Sequence, residues 1–235
     1  DIVGQDPVLS ARIVGTANGE TFGFKGRVDT LDLAVRLLGP REVFRIAESS
    51  EIWFDETRDG GFDVKGFRAD AIFTARATER IMEAMGHGHI AASGVAGLLC
   101  DIGRLALAMV APNHYKKVDP ELKGLDLIAS EQRHLGISHP EAGYMLADRW
   151  GLPADITEAI LFHHEPKRAT RAKELAAAVG TAHRLADLAG ATIDDGRAAF
   201  RDCLDLLQST GLEFGACAHV ITELSYLRDS GASTA

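Results

Sequence analysis

Residues 97–103 read Gly-Leu-Leu-Cys-Asp-Ile-Gly and place a single acid, Asp101, inside an apolar stretch that runs from Ile90 to Val110. A carboxylate loses its hydration in such surroundings and needs a partner that offsets this loss. Two interpretations follow from the residues alone. Asp101 either binds a metal ion together with other side chains, or it caps a following helix at Gly103–Arg104.

The apolar spacing on both sides of this stretch is helical, and the interruptions contain glycine or proline. Asp6 before Pro7 is typical of a helix start, and Ser138 and Glu141 have the spacing of a capping box. We predict helices at residues 7–17, 31–38, 41–48, 67–85, 90–110, 125–135, 139–150, 155–163, 171–189, 194–207 and 212–227. No alternating run is long enough for a strand, so the sequence predicts an all-α fold.

A polar, glycine-bearing break at residues 56–66 indicates a division of the chain into two parts. We expect residues 1–60 to form a small N-terminal helical lobe. Residues 61–235 are then a helical core with the C-terminal helices. A sharp turn is also expected at Gly39-Pro40, because proline opens a new helix directly after a glycine.

The composition restricts the classes of function. The net charge is −9 and the basic residues are scattered, whereas nucleic-acid binding normally needs a basic stripe. The three cysteines, Cys100, Cys203 and Cys217, have no CxxC spacing and favour a reducing compartment. We find no run of about 18 apolar residues and no signal peptide. The expectation is a cytoplasmic protein that has neither a membrane nor nucleic acid as its partner.

The histidines supply candidate partners for Asp101. His139 starts one predicted helix, His163 and His164 end another, and His183 lies within a third, one turn before Asp187. Neutral imidazoles and a carboxylate from several helices are the donors that a divalent transition metal requires. Separate histidines on helices are more often surface or satisfied core groups, so spacing alone leaves both interpretations open.

Residues 97–103 resemble the Leu-Leu-His-Asp-Ile-Gly core of HD-type metal-dependent phosphohydrolases. The order and spacing of further motifs resemble the HD-related output domain, HDOD, over roughly residues 5–190. These motifs are Asp6–Leu9 with Ala17-Asn18, residues 31–39, Gly136–Gly143, Leu146-Ala147, Trp150–Pro153, and Ala159-Ile160 with His163-His164. The resemblance implies an HD-domain-like helical bundle with a smaller N-terminal lobe. This sequence resembles the family from a point inside the first lobe, so we expect that an upstream helix of this lobe is missing from it.

The resemblance also implies a ligand set. It assigns candidate metal ligands to Asp101, His139, His163 and His164, which are retained from the catalytic relatives. Three further positions are substituted: Asp70 stands for the first His, Cys100 for the His of the His-Asp pair, and His183 for the closing Asp. The implied cofactor is a divalent transition metal: Fe, Mn or Zn.

Replacement of the first His by Asp70 and of the paired His by Cys100, together with the absence of a Gly-Tyr-Pro signature, makes catalysis the weaker expectation. The resemblance therefore implies a non-catalytic signal-transduction output module of a bacterial-type regulator. Its partner would be another protein or a fused signalling domain, and a homodimer is a further candidate. The alternative is a metal-dependent phosphohydrolase with an altered ligand set, acting for example on a nucleotide or cyclic dinucleotide. A third interpretation is a sensor that binds a ligand in the same pocket without chemistry.

Overall fold

A computed structural model describes residues 6–24, 26–48, 62–86, 90–188 and 193–231. Within these ranges the regular secondary structure is helical, which confirms the predicted all-α class. The helices are α1 (Pro7–Asn18), α2 (Leu31–Glu48), α3 (Val64–Ala84), α4 (Ile90–Leu99), α5 (Ile102–Val110), α6 (Pro112–Tyr115), α7 (Gly124–Leu135), α8 (His139–Arg149), α9 (Ala154–Phe162), α10 (Lys173–Asp187), α11 (Ile193–Gln208) and α12 (Phe214–Gly231). A short 3-10 turn follows α9 at Pro166–Arg168.

Several helix boundaries follow from local signals in the sequence. The Asp6 carboxylate accepts hydrogen bonds from the amides of Val8 and Leu9, at 2.9 and 3.0 Å, and so caps α1. The predicted turn at Gly39 is present as a bend inside α2, with φ 73° and ψ 163°. Other features differ from the prediction. Helix α3 begins at Val64 rather than Phe67, α10 begins at Lys173 rather than at residue 171, and the short helix α6 forms where no helix is predicted.

The apolar stretch around Asp101 forms two helices, because Cys100 and Asp101 break the helical path between α4 and α5. By length and composition, Ala92–Val110 could cross a membrane, with a mean hydropathy of 1.5. The expectation that the chain has no such segment is therefore wrong on those two criteria. The segment is 78% buried inside the fold, as is usual for the core helices of globular proteins.

Two hydrophobic cores organise the described residues. The first contains buried side chains of α1, α2, α4, α5 and α9, such as Val14, Leu99 and Ile160. The second joins the C-terminal helices to the rest and includes Leu207 and Ile221. Helices α3 and α10 contribute buried residues to both cores, so they connect the two.

Two glycines let helices approach each other closely at the ends of α8 and α9. A Cβ atom on Gly103 of α5 would overlap the carbonyl oxygen of His139 and lie 2.7 Å from the amide nitrogen of Gly143. A Cβ atom on Gly180 of α10 would overlap the carbonyl oxygen of His163. Because glycine has no Cβ, α5 and α10 can each pack directly against the backbone of a histidine.

The predicted boundary between residues 60 and 61 lies outside the described residues. Helix α1 packs on α2 and also contacts α3 and α4, and its buried side chains belong to the first core. The division into two lobes therefore stays a prediction.

The close approaches generate a prediction about stability. Gly103→Ala and Gly180→Ala should each lower the free energy of unfolding by about 1–3 kcal/mol, because backbone atoms must move to admit the new methyl group. Gly215→Ala on α12 is the matched control, since its Cβ would meet no atom within 4 Å. Urea unfolding at 25 °C measures the three changes. If Gly103→Ala and Gly180→Ala proved as stable as Gly215→Ala, the packing described would be contradicted.

Candidate metal centre

Asp101 occupies the position before α5, but its side chain does not cap the helix. The structure gives that carboxylate no capping hydrogen bond. Instead, the backbone carbonyl of Asp101 accepts from the amide of Arg104 at 2.9 Å, and Asp101 Oδ2 lies 3.4 Å from Arg104 Nη1. The interpretation of Asp101 as a helix cap is therefore wrong, and the partners of its carboxylate lie elsewhere.

Those partners are histidines from three later segments of the chain. Asp101 Oδ1 lies 3.4 Å from Nε2 of His139 and 3.4 Å from Nε2 of His163. Its second oxygen, Oδ2, lies 3.1 Å from Nε2 of His183. His139 begins α8, His163 follows α9 and His183 belongs to α10. All of these side chains are buried, so imidazole rings take the place of water around the carboxylate.

Four residues form a compact donor group: Asp101, His163, His164 and His183. One donor atom from each lies within 4.8 Å of the other three. His139 lies next to this group, with its Nε2 2.9 Å from Nε2 of His164. The group thus contains three of the four retained positions and the substituted position at His183.

Two other substituted positions, Asp70 and Cys100, do not belong to the donor group. Cys100 lies in the first hydrophobic core, where burial and the nearby Asp101 raise the pKa of its thiol well above its usual value. A neutral thiol is a poor metal ligand. Asp70 is half-buried on α3, and its pKa is raised to about 6 by burial, with Lys123 opposing the shift and Asp101 adding to it.

The hydrogen bond of His163 tests whether the group suits a metal. His163 Nδ1 lies 2.7 Å from the carbonyl oxygen of Ile160, and a carbonyl only accepts, so Nδ1 carries the proton. Burial lowers the pKa of His163 and favours the neutral ring, although Asp101 opposes the shift. Its Nε2 lone pair then faces Asp101 Oδ1, and neither buried atom has a hydrogen-bond partner. A bound cation would satisfy both acceptors, so these residues fit a metal.

The other two imidazoles of the donor group differ in charge: His164 is neutral and His183 is protonated. Burial and the neighbouring His163, His183 and His139 lower the pKa of His164, so this ring is neutral. Burial also opposes charge on His183, but Asp101 and Asp187 raise its pKa to about 9. Burial would raise the pKa of Asp101, yet His183 and the other histidines hold it well below its usual value. Without metal, the centre is held together by a buried His183–Asp101 ion pair.

A cleft of about 430 Å³ lies on one side of the centre and is lined in part by Asp70, Arg104, Tyr115 and Lys123. Arg104 connects the two, because it also contacts Asp101. Lys123 Nζ lies 3.2 Å from Asp187 Oδ1, and Asp187 Oδ2 lies 3.5 Å from His183 Nδ1. Charged side chains therefore extend from the buried donors to the solvent-facing cleft.

Glu131 on α7 also belongs to this region, and the sequence analysis missed it. It is fully buried, and its Oε2 accepts from the backbone amide and from Nδ1 of His139, at 2.8 and 2.7 Å. The buried residues of α7 are Leu127, Ser130 and Glu131, which share one helix face. The sequence feature that could have identified Glu131 is an acidic residue on the apolar, inward face of an amphipathic helix.

Comparison with known proteins identifies the family. The sequence profile of the HDOD domain matches residues 1–166, more than half of the chain. The chain belongs to the HDOD family. The profile includes Asp101, His139, His163 and His164, whereas His183 of the donor group lies beyond the matched residues of this HDOD chain.

Solved structures have the same fold. The response regulator MmoQ of Methylococcus capsulatus strain Bath is 28% identical to this HDOD chain, with a TM-score of 0.72 over 86% of this chain and 82% of that one. A virulence factor of Campylobacter jejuni is 18% identical, with a TM-score of 0.71 over 97% and 86% of the two chains. An HDOD domain protein of Geobacter sulfurreducens is 24% identical, with a TM-score of 0.60 over 97% and 80%. The last two likenesses concern the fold alone.

A curated relative is an uncharacterized protein of Treponema pallidum strain Nichols, which is 25% identical. The match covers 69% of this HDOD chain and 32% of that protein. The chain therefore spans about a third of the length of the curated relative that it matches.

The raised pKa of His183 predicts a pH dependence for the metal-free protein. The folded state holds the His183 proton up to about pH 9, whereas an unfolded histidine loses it near 6.5. Between these values the folded state binds more protons, so the free energy of unfolding should fall as pH rises. Urea unfolding in the presence of a chelator, from pH 6.5 to 8.5, measures this slope.

His183→Gln should flatten the profile, and His219→Gln on the exposed surface of α12 should leave it unchanged. Below pH 6.5 the lowered pKa values of His163 and His164 act in the opposite sense, so stability should also fall on acidification. A wild-type profile that rises between pH 7 and 8.5 would contradict the assigned His183–Asp101 pair.

Proposed function

We propose that this HDOD chain is a non-catalytic signal-transduction output module built around a structural metal centre. The observation that carries the proposal is the donor group of Asp101, His163, His164 and His183, in which all four donors come from the protein and all are buried. Structural metal sites are filled by four protein ligands, whereas catalytic sites keep a position open for water or substrate. One carboxylate and three imidazoles suit Zn²⁺, Fe²⁺ or Mn²⁺.

The two positions outside the donor group support the non-catalytic role. Hydrolysis by a metal centre of this superfamily needs an activated water at an accessible metal. Cys100 lies in the hydrophobic core, and Asp70 lies at the cleft rather than among the donors. Asp70 is the substituted position that would extend the ligand set toward the cleft, where a substrate would have to bind.

The same geometry supports a route by which the centre would act on a partner. The donors connect the start of α5, the end of α9 and the middle of α10. Metal binding would therefore fix α10 relative to α5 and α9. Another face of α10, with Ala178, Ala182 and Leu185, packs in the second core with α11 and α12. A change at the centre would reach the C-terminal helices through this single rigid element.

The comparison with MmoQ supports the signalling role, because that 28% identical protein is a response regulator. We further propose that the partner is another protein, a fused signalling domain or a second copy of the chain, and that the location is cytoplasmic. Cys100, Cys203 and Cys217 are all buried and unpaired, which suits a reducing compartment.

The centre predicts one bound metal ion per chain. Elemental analysis of protein purified without oxygen should find about one equivalent of Zn, Fe or Mn in the wild type and in the exposed control His219→Gln. His183→Gln should lose most of this metal, because it removes one of four donors. A wild-type protein without metal would overturn the proposed centre.

The non-catalytic role predicts no enzymatic turnover. Cyclic dinucleotides and nucleotides incubated with the metal-loaded protein, with Mn²⁺ or Fe²⁺ added, should stay intact at the detection limit of chromatography. Turnover at enzyme-like rates that is lost in Asp101→Ala would contradict this role. It would favour the alternative, a metal-dependent phosphohydrolase with an altered ligand set.

A further inference from the structure

Glu131 has an unusual environment for an acidic side chain. It is 0% exposed, and the two oxygens of its carboxylate are used unequally. Oε2 accepts two hydrogen bonds from His139, whereas Oε1 is buried and has no partner. An acceptor buried in this way destabilises the fold unless another interaction compensates.

The two hydrogen bonds determine the state of the His139 ring. The backbone amide of His139 donates to Oε2 of Glu131, and an ionised carboxylate only accepts, so with Glu131 ionised Nδ1 of His139 carries the proton that it donates to the same oxygen. In the neutral ring, Nε2 then has the lone pair. This Nε2 lies 2.9 Å from His164 Nε2 and 3.4 Å from Asp101 Oδ1, next to the donor group.

We propose that Glu131 is a positioning residue that presents His139 to the metal as an additional nitrogen donor. The inference rests on the proposed metal centre and extends it to a fifth protein ligand. A carboxylate that accepts from one ring nitrogen of a histidine fixes the tautomer and the ring orientation, and it makes the other nitrogen a better ligand. Glu131 is placed for this role by α7, and His139 by the first turn of α8.

The charges around His139 support this role. Glu131 and Asp101 are two buried carboxylates on opposite nitrogens of one imidazole ring, at 2.7 Å from Nδ1 and 3.4 Å from Nε2. Arg104 contacts Asp101 but is not among the hydrogen-bond partners of Glu131. A divalent cation at Nε2 would stabilise both carboxylates, one by direct contact and one through the polarised ring.

A purely structural role is the competing explanation, since Glu131 also accepts the first amide of α8. The same helix start offers a matched control. Glu141 accepts from the amide and the hydroxyl of Ser138, at 2.9 and 2.7 Å, and forms the capping box of α8. Its hydrogen bonds involve Ser138 and Gln132 rather than His139, so Glu141→Gln disturbs the same helix terminus while leaving the His139 ring alone.

The test compares the affinity for Zn²⁺ of four proteins by competition with a chelator: wild type, Glu131→Gln, Glu141→Gln and His139→Gln. Glu131→Gln should bind Zn²⁺ at least 10-fold more weakly than wild type, because the amide no longer holds the tautomer as a carboxylate does. Glu141→Gln should stay within about twofold. His139→Gln should lose at least as much as Glu131→Gln, and the double variant should be no weaker than His139→Gln alone.

A second measurement is the tautomer of His139 by ¹⁵N-resolved NMR of the metal-free protein. The wild type and Glu141→Gln should show the form protonated at Nδ1, and Glu131→Gln should show a mixture. Equal Zn²⁺ affinity of Glu131→Gln and wild type would overturn the role of Glu131 while leaving the centre intact. Failure of the wild type to bind Zn²⁺ would overturn the centre itself. Unfolding of metal-free Glu131→Gln, or additive losses in the double variant, would assign Glu131 to fold stability and overturn the proposal.

Discussion

The fold depends on one buried carboxylate. Asp101 interrupts the apolar path between α4 and α5, and burial removes most of the hydration of its carboxylate. Leaving such a charge uncompensated would cost several kcal/mol, on the order of the whole stability of a domain. Histidines from α8, α9 and α10 must therefore meet at this point. The packing of these helices and the chemistry of the centre are consequences of the same requirement.

Close packing of the backbone makes this meeting possible. Gly103 brings α5 onto the start of α8, and Gly180 brings α10 onto the end of α9. Both contacts are made to the carbonyl groups of histidines that surround Asp101, so the glycines determine where the rings can reach. The arrangement also makes α10 the element that connects the centre to the C-terminal helices, because its residues belong to both hydrophobic cores. This placement supports the proposed signalling role.

Features with local causes could be predicted from the sequence. The caps at Asp6 and Ser138, the bend at Gly39 and the all-α class follow from residues within a few positions of each other. The composition of the centre could be predicted only in part. Asp101 and His183 are 82 residues apart. Cys100 and Asp70 lie outside the donor group because of the directions in which their packed helices orient these side chains. Glu131 was missed because its partner is an amide and a ring eight residues later, across a loop.

The central claim is that one metal ion is bound by buried protein donors alone. A crystal structure of metal-loaded protein, with anomalous scattering recorded on both sides of the absorption edge of the metal, tests this most directly. The account predicts a single anomalous peak bonded to Asp101, His163, His164 and His183, with Nε2 of His139 as the additional ligand. Two peaks bridged by Asp101, with a water ligand facing the cleft at Asp70, would contradict it and indicate a hydrolytic centre.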